Sequence, residues 1–199
     1  MTQIYLIRHG HVDNPAGIFY GPDIQLSERG KRQIEALAQD FVTANIQPAH
    51  IYSSPYERTR ETTAILAAHF SSAAVTFDER LREWQVNSWT GKPLKEFYAY
   101  TGHDKNPNAP LPSDIEPLAA CADRIQTVIT ESINQHSEQT IFIVSHGEPL
   151  SSAILRYQGK DWSSVLTLTL PFASSWEAIF KETNKPLSLG LKFDRSNVE

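Results

Sequence analysis

Cysteine is almost absent from this sequence, and so are other features that would place the protein outside the cytoplasm. Cys121 is the only cysteine among 199 residues, which excludes an intramolecular disulfide and is typical of a reducing compartment. The amino terminus has no basic stretch followed by an apolar segment, so we expect no secretory signal. No apolar run approaches the roughly 20 residues of a membrane-spanning helix. These absences favour a cytoplasmic protein with no membrane partner.

A strong charge of one sign is also missing. The formal net charge is -5 and neither sign forms a block, so the basic face that nucleic-acid binding requires is not present. With 40% hydrophobic and 21% charged residues, and no repeat or linker, the composition is that of a globular chain. We therefore expect a single domain over residues 1–199. The oligomeric state is left open, with a homodimer as one option.

Two His-Gly corners stand out among the features that are present. Arg8-His9-Gly10 ends the apolar run 4–7, and Ser145-His146-Gly147 ends the apolar run 141–144. Short runs rich in Ile and Val are typical of buried strands. In open α/β sheets, ligands bind at the carboxyl ends of the strands. The sequence therefore predicts one site that contains both histidines.

Strand and helix patterns alternate along the chain, which predicts an α/β fold. Ser27 is a typical helix N-cap, and Pro55 is placed to begin a second helix. The prolines and asparagines between 102 and 117 are typical of a long surface loop. The predicted strands are 3–7, 50–53, 74–77, 141–144, 165–170, 175–180 and 187–193, with a turn at Asn184-Lys185-Pro186 between the last two. The predicted helices follow Ser27, span 55–69 and 118–133, and follow Pro149.

The residues at the two corners have the chemistry of a phosphate-binding site. Arg8 directly precedes His9, and a neighbouring cation lowers the pKa of an imidazole, which keeps it neutral as a nucleophile must be. Guanidinium groups bind phosphate in a bidentate manner, and Arg58 lies in the first turn of the predicted second helix. The helix after His146 adds free N–H groups, which favour an anion. Together these groups predict a pocket for a dianion, in which one histidine attacks phosphorus.

Glu83 is the candidate proton donor for a leaving alkoxide. Its loop contains Trp84 and Trp89, so burial is expected to raise the pKa of the carboxyl group. The two tryptophans themselves are interpreted mainly as packing residues. Arg80 and Arg82 are close in sequence, so a purely structural ion pair is the alternative for Glu83 at this point.

His9 and His11 form a His-x-His pair, a spacing that can bind a metal ion when both side chains share a face. The fixed cation of Arg8 would repel a metal ion there, so we expect no metal. The other histidines belong to no motif and are interpreted as surface residues: His50, His69, His103 and His136.

Four blocks occur in order along the chain, namely Arg8-His9-Gly10, SSPYERTRETTAIL, LREWQVNSWTG and VSHGEPLSSAIL, and YGPDIQLSERGKRQ lies between the first two. In this order they resemble the histidine phosphatase superfamily, in its phosphoglycerate mutase-like branch, from residue 3 to about residue 157. The resemblance implies a phosphorylated His9, a second phosphate-binding arginine at Arg58, an acid/base carboxylate at Glu83 and a second pocket histidine at His146. It also implies a three-layer sandwich, with a mostly parallel central sheet and helices on both faces, and no metal or organic cofactor.

The sequence departs from the family pattern at several positions near the site. His11 occupies a position where an acidic or amide residue is usual, and Pro15 replaces a common asparagine, with Asn14 one residue earlier. In the third block, three changes leave Glu83 in place and would reshape the pocket wall: Gln85, Asn87 and Thr90. The residues expected to line the substrate pocket are His11, Asn14, Tyr20 and Trp84.

The sequence thus predicts a histidine acid-type, metal-independent phosphatase, a phosphomonoester hydrolase that acts on a small phosphorylated metabolite. His9 would form a phosphohistidine, and Glu83 would protonate the leaving oxygen and then activate water. The phosphoryl oxygens would be held by Arg8, Arg58, His146 and the backbone at Gly147. A phosphoglycerate mutase is the alternative enzyme, although the short segment between Glu83 and His146 favours hydrolysis. The alternative of a different class is a catalytically inactive relative that binds a phosphorylated ligand or a protein.

Overall fold

Strands and helices alternate from the amino terminus in the computed structural model, which describes residues 1–106, 108–166, 168, 170–182 and 185–199. The described elements, in chain order, are β1 (Thr2–Arg8), α1 (Glu28–Thr43), β2 (His50–Ser53), α2 (Glu57–His69), β3 (Ala74–Phe77), α3 (Leu94–Thr101), α4 (Leu118–Gln135), β4 (Thr140–Ser145), α5 (Gly147–Gln158), β5 (Ser174–Phe180) and β6 (Ser188–Asp194). Short 3₁₀ helices occur at Glu79–Leu81, Asn87–Trp89 and Trp162–Leu166. The predicted α/β alternation is confirmed.

The strands form one sheet in the order β3-β2-β4-β1-β5-β6. In this order, β3, β2, β4 and β1 are parallel to one another. At the other edge, β5 runs antiparallel to β1, and β6 runs antiparallel to β5. The register pairs Arg8 of β1 with Ser145 of β4, so both strands end at the same level. Ser53 at the end of β2 pairs with Val144. The two His-Gly corners and the start of α2 therefore meet at one edge of the sheet.

Both faces of the sheet are covered by helices, as β1 shows most clearly. Successive side chains of a strand point to opposite faces. Ile4 and Leu6 belong to the core formed with α4 and α5. Tyr5 and Ile7 belong to the core formed with α1 and α2. This arrangement confirms the predicted three-layer sandwich with a mostly parallel sheet.

The chain leaves β1 through a close crossing with the start of α1. Ser27 caps the helix, as predicted, and its Oγ accepts a hydrogen bond from the Gly30 amide at 3.0 Å. A Cβ on Gly30 would lie 2.1 Å from the His11 carbonyl oxygen, and one on Gly10 would lie 2.5 Å from the Gly30 carbonyl oxygen. The two glycines thus permit the backbone contact that fixes the segment directly after His9.

A third apolar cluster supports the loop that contains Glu83. Trp84, Phe97 and Cys121 are buried in it, together with residues of the 102–117 loop and of α4. Phe97 belongs to α3, a helix that the sequence analysis did not predict. Its limits nevertheless follow known rules, since Pro93 precedes its first residue and Gly102 ends it with a φ of 66°.

Two predicted helix limits need correction. Tyr56 has an extended backbone and its carbonyl accepts the first hydrogen bond of α2, so the helix begins at Glu57 and Pro55 precedes it. The last predicted helix begins at Gly147, which places Pro149 inside the first turn of α5 rather than before the helix. No helix in the described part of the chain combines the length and the apolar character needed to cross a membrane.

The predicted strand at 165–170 is wrong at its start, where the chain forms a 3₁₀ helix. Val165 packs on the third cluster and Leu168 on the core of α4 and α5, so the apolar pattern serves two separate clusters. Four predicted positions lie outside the described residues: Thr167 and Thr169 in this segment, Asn184 in the predicted turn, and Pro107 in the predicted loop 102–117. The strands predicted at 175–180 and 187–193 are confirmed as β5 and β6.

Candidate active site

The two corner histidines lie side by side at the carboxyl edge of the sheet. The ring centroids of His9 and His146 are 5.2 Å apart, and both side chains are wholly buried. The His9 amide donates a hydrogen bond to the Ser145 carbonyl at 3.2 Å, which extends the pairing of β1 and β4 by one residue. The structure therefore brings together the two histidines that the sequence placed in one site.

His9 is held as a neutral imidazole that has its proton on Nδ1 and its lone pair on Nε2. Its Nδ1 lies 2.7 Å from the Gly10 carbonyl oxygen, and Nδ1 must donate there because a carbonyl only accepts. The lone pair of Nε2 accepts a hydrogen bond from Nε of Arg58 at 3.2 Å. Burial, then the charges of Arg58 and Arg8, lower the pKa of His9 well below its usual value. Both the tautomer and the charge suit a nucleophile.

The two predicted arginines flank this nitrogen from different elements. Arg58 lies in the first turn of α2, fully buried under the Tyr20 ring, and its Nη1 donates to the Gly21 carbonyl at 3.2 Å. Arg8, at the end of β1, donates from Nη1 to the Leu170 carbonyl and lies over the Phe172 ring at 4.0 Å. These contacts fix each guanidinium while leaving other N–H groups free for a ligand.

Three buried nitrogens at the site have no hydrogen-bond partner among the described residues: Arg8 Nε, Arg58 Nη2 and His146 Nδ1. A buried donor left without a partner costs about 1–3 kcal/mol. Three such atoms on residues of one site indicate that a ligand with several acceptor oxygens supplies the missing partners. A phosphoryl group has that chemistry.

His146 is oriented by a residue that the sequence analysis missed. Its Nε2 lies 2.8 Å from Ser54 Oγ, directly after β2, and its Nδ1 lies 3.6 Å from Glu83 Oε2. Burial, then the charge of Arg58, lower the pKa of His146 well below its usual value. Gly147, which follows it, matters for packing, since a Cβ there would lie 3.1 Å from Cζ of Arg8.

The side chain of Glu83 lies close to both Arg58 and His146. Its Oε2 lies 3.7 Å from Arg58 Nη2, and its Oε1 accepts a hydrogen bond from the Trp84 amide at 2.9 Å. Burial, then the charge of Glu148, raise the pKa of Glu83 to about 7, although Arg58 acts in the opposite direction. A carboxyl group with this pKa can both donate and accept a proton near neutral pH.

The structural ion pair that was the alternative for Glu83 is not formed. Arg80 pairs with Asp78 and Glu131, and Arg82 pairs with Glu79. The carboxylate of Glu83 therefore faces the arginine and histidine of the site instead of its sequence neighbours.

The four predicted lining residues, His11, Asn14, Tyr20 and Trp84, all border one cavity of about 390 Å³. The Asn14 amide, however, is occupied by the backbone of Ile18, to which it donates at 2.9 Å and from which it accepts at 3.1 Å. His11 shares a hydrogen bond with Ser27, and Trp84 donates to the Glu116 carbonyl. Their polar atoms thus shape the loops, and mainly the rings are left to face a substrate.

Several residues near the site were not singled out from the sequence: Ser54, Tyr98, Arg124, Glu148 and Phe172. Glu148 had a signal, because it directly follows His146-Gly147 in the predicted helix start. The others depend on tertiary contacts that no local pattern reveals. One histidine was also misplaced, since His103 is 5% exposed and stacks on Trp84, with the ring centroids 5.5 Å apart, and is not a surface residue.

The sequence raised a metal site at His9 and His11, whereas the potential metal ligands that lie close together in the structure are those of His9, Glu83 and His146. His9, Glu83 and His146 offer ligand atoms within 4.8 Å of one another. Nε2 of His9 already accepts from Arg58, and the two guanidinium charges at the site oppose a cation. The donor set therefore favours an anion over a metal.

A family assignment follows from the match of residues 4–188 to the model of the histidine phosphatase superfamily (branch 1). The chain belongs to this superfamily. Phosphoserine phosphatase 1 of Hydrogenobacter thermophilus is 31% identical over 170 residues, which cover 82% of this chain and 79% of that protein. A 2,3-bisphosphoglycerate-dependent phosphoglycerate mutase of Thermoplasma acidophilum is 30% identical over 190 residues, 93% of this chain and 90% of that protein.

Among solved structures, Bacillus stearothermophilus YhfR is similar with a TM-score of 0.84 and 20% identity, over 99% of this chain and 100% of that chain. At this level of identity, the similarity shows the fold. The fold and the superfamily that the four blocks predicted are thereby confirmed.

Proposed function

We propose that this histidine phosphatase hydrolyses the phosphomonoester of a small metabolite through a phosphohistidine at Nε2 of His9. The observation that supports this most directly is a neutral, buried His9 next to two arginines, where three buried nitrogens of the site have no hydrogen-bond partner among the described residues. A phosphomonoester hydrolase of this superfamily also agrees with the phosphoserine phosphatase of Hydrogenobacter thermophilus.

The reaction has two steps. In the first, Nε2 of His9 attacks phosphorus, the ester P–O bond breaks, and protonated Glu83 gives its proton to the leaving oxygen. Arg8, Arg58 and His146, with the amide of Gly147, hold the phosphoryl oxygens. In the second, the Glu83 carboxylate takes a proton from water, the water oxygen attacks phosphorus, and the P–N bond breaks. Phosphate leaves, and neutral His9 and protonated Glu83 are restored.

Substrate must reach a nucleophile that is wholly buried beneath the cavity. Tyr20 lies over Arg58, and the Gly21 carbonyl occupies one of its N–H groups. We infer that binding displaces this part of the 11–26 segment and that phosphoryl oxygen replaces Gly21 as the partner of Arg58. Similarly, the long 3.2 Å contact between Arg58 and His9 gives way when phosphorus approaches Nε2.

Metal independence is part of the same proposal. His9, Glu83 and His146 are engaged in nucleophilic attack, proton transfer and oxygen binding, so none is left to act as a permanent metal ligand. Activity is expected to persist in a chelator such as EDTA, and its loss, with recovery on adding back a metal, would contradict the proposal.

A phosphoglycerate mutase is the second candidate, because the mutase of Thermoplasma acidophilum matches 93% of the chain. The two activities differ in what accepts the phosphoryl group from His9. Release of inorganic phosphate from 3-phosphoglycerate indicates hydrolysis, whereas formation of the 2-isomer indicates a mutase.

The deciding experiment is transfer of radioactive phosphate from a labelled ester to the protein, followed by rapid quenching. We expect an acid-labile, base-stable label that is lost in His9→Ala and kept in His69→Ala, whose imidazole bonds to Glu35 on another surface. A label that persists in His9→Ala would refute the mechanism. Tight vanadate binding with no label and no phosphate release would instead indicate the inactive, ligand-binding relative.

A further inference from the structure

The cavity next to the phosphate site contains a second carboxylate that the mechanism does not use. Glu148 lies in the first turn of α5 and borders the same cavity as Glu83 and Arg8. We propose that Glu148 binds a positively charged group of the leaving alcohol, so that the enzyme prefers phosphate esters of amino alcohols to esters of alcohols that carry a carboxylate. This inference rests on the proposed function and specifies its substrate class.

The carboxylate of Glu148 is free to take a ligand. Within the described residues its side chain has no ion pair and no hydrogen bond, and the hydroxyl of Ser152 donates to its backbone carbonyl at 2.8 Å. The helix dipole favours a carboxylate at a helix N-terminus, which explains why an acidic residue is stable at this position. The dipole does not explain why the carboxylate of Glu148 borders the cavity beside the reacting groups.

A carboxylate on the substrate would find no cation free to pair with it among the described residues that line the cavity. Among the described lining residues, Arg8 is the only permanent cation, and its guanidinium is directed to the phosphate site. His11 is bonded to Ser27 and lies near Asp13. A substrate carboxylate would therefore face Glu148 without a compensating charge, whereas an ammonium group would gain an ion pair there.

Aromatic rings around the cavity favour the same class of ligand. Phe19, Trp84 and Tyr98 border it, and a cation is attracted to the faces of such rings. The charge of Glu148 also reaches across the cavity to α3, where it contributes, after burial, to a Tyr98 pKa raised to about 12. The lining of the cavity thus combines aromatic rings with the negative charge of Glu148.

Glu148 has a second effect that the experiment must separate from substrate binding. Its charge raises the pKa of Glu83 and so helps to keep the proton donor loaded. The effect on the Glu83 pKa changes proton transfer to the leaving oxygen by a similar factor for every ester. Recognition of an ammonium group, in contrast, changes the ratio between substrates.

Four related esters form a complete test. Serinol phosphate, phosphoserine, sn-glycerol 3-phosphate and 3-phosphoglycerate combine an amino or hydroxyl group on the central carbon with a hydroxymethyl or carboxylate group at the end away from the phosphate. We expect kcat/KM to be about tenfold higher for serinol phosphate than for glycerol 3-phosphate, with 3-phosphoglycerate the poorest substrate and phosphoserine between the extremes. Each substrate is measured with the wild type, Glu148→Gln and Glu148→Asp.

In Glu148→Gln, the tenfold preference for the amino group is expected to fall to about twofold or less, and the discrimination against 3-phosphoglycerate to weaken. Glu148→Asp keeps the charge and should retain part of the preference, which guards against a folding defect in the glutamine variant. Glu96→Gln is the control, because it removes the same charge from the exposed first turn of α3 and should leave the ratios unchanged.

Substrate ratios that are the same in wild type and Glu148→Gln would overturn the inference, as would a wild-type preference for 3-phosphoglycerate. Hydrolysis of glycerol 3-phosphate in the same assays would then show that the proposed function still holds. No phosphate release from any of the four esters or from p-nitrophenyl phosphate would refute the proposed function, and the inference with it.

Discussion

In the proposed mechanism, the carboxyl group of Glu83 couples proton transfer to stability. Burial and Glu148 raise its pKa from an ordinary 4.5 to about 7, which keeps a proton donor available near neutral pH. The same shift means that the folded protein resists ionisation of this group. Above pH 7 the folded state therefore contains a carboxylate in an environment that favours its neutral form.

This coupling predicts a pH dependence for Glu83→Gln. Because the folded pKa is raised, the stability gained from the neutral carboxyl is fully present below about pH 4.5 and is lost as pH rises through 7. Relative to wild type, the variant should become progressively more stable across that interval while losing activity at every pH. Urea unfolding at pH 5, 6 and 8 measures the difference. Glu96→Gln on the surface should show no such trend, and a constant offset for Glu83→Gln would contradict the prediction.

Single residues were predictable from sequence where the chemistry was local. Arg8, His9 and His146 lie at strand ends that the apolar runs revealed, and the structure brings all three together. Ser54 and Phe172 could not be found this way, because each contacts a histidine or arginine that is far away in sequence. Only the register of the sheet and the path of the loops determine those contacts.

At the scale of elements, the segment that contains Glu83 depends on a neighbouring helix for its shape. Arg124 of α4 donates to the carbonyls of Arg80 and Arg82 at 2.6 Å each and to that of Glu83 at 3.1 Å. It also forms an ion pair with Glu116 at 2.7 Å, and both side chains are mostly buried. One guanidinium thus binds three carbonyls of this segment and fixes the path of the chain from the 3₁₀ helix to Glu83.

We predict that Arg124→Met lowers the free energy of unfolding by about 3 kcal/mol, because Glu116 is left charged and largely buried without a partner. It should also lower kcat, since Glu83 loses its support. The double variant Arg124→Met, Glu116→Gln should recover part of the stability but not the activity, as measured by urea unfolding and phosphate release.

Arg156→Met is the matched control for this prediction. That residue pairs with the exposed Asp123, and loss of a surface pair costs less than about 1 kcal/mol. Equal destabilisation by the two arginine substitutions, or full activity of Arg124→Met, would refute the supporting role of Arg124.

Element predictions failed where a pattern was short or served two clusters. Helix α3 has only eight residues, too few to show a repeated apolar face. Pro93 and Gly102 mark its start and its end, but they indicate helix limits only once a helix is suspected between them. In the 165–170 segment, leucines alternate with threonines as in a strand, yet Val165 and Leu168 pack into different clusters. Long elements such as α1 and α4 were predicted correctly because a repeated apolar face leaves few alternatives.

On the scale of the whole molecule, the anion site joins parts that are distant in sequence. Arg8 ends β1, Arg58 lies in the first turn of α2 and His146 precedes α5. The central strands β2, β4 and β1 hold these positions at one level. A ligand that bridges them binds only the folded sheet and its helices. Its binding energy is therefore added to the stability of the entire sandwich.

We predict that orthovanadate, an analogue of the phosphoryl group, raises the unfolding temperature of the whole chain. At 100 times its dissociation constant, the gain is about 2.7 kcal/mol, which corresponds to about 5–10 °C for a domain of this size. If residues 1–199 form the single domain that the sequence predicts, circular dichroism and tryptophan fluorescence should shift by the same amount.

Two arginines of α2, two residues apart in sequence, provide the test variant and the control for this last prediction. Arg58→Met should abolish the shift, because it removes a buried guanidinium from the site. Arg60→Met should preserve it, since that side chain is exposed, stacks on Phe77 and bonds to the Pro55 carbonyl. A shift in fluorescence alone would show that vanadate stabilises only a part of the chain, and the single-domain prediction would be wrong. A full shift in Arg58→Met would place the anion outside the site formed by the two His-Gly corners.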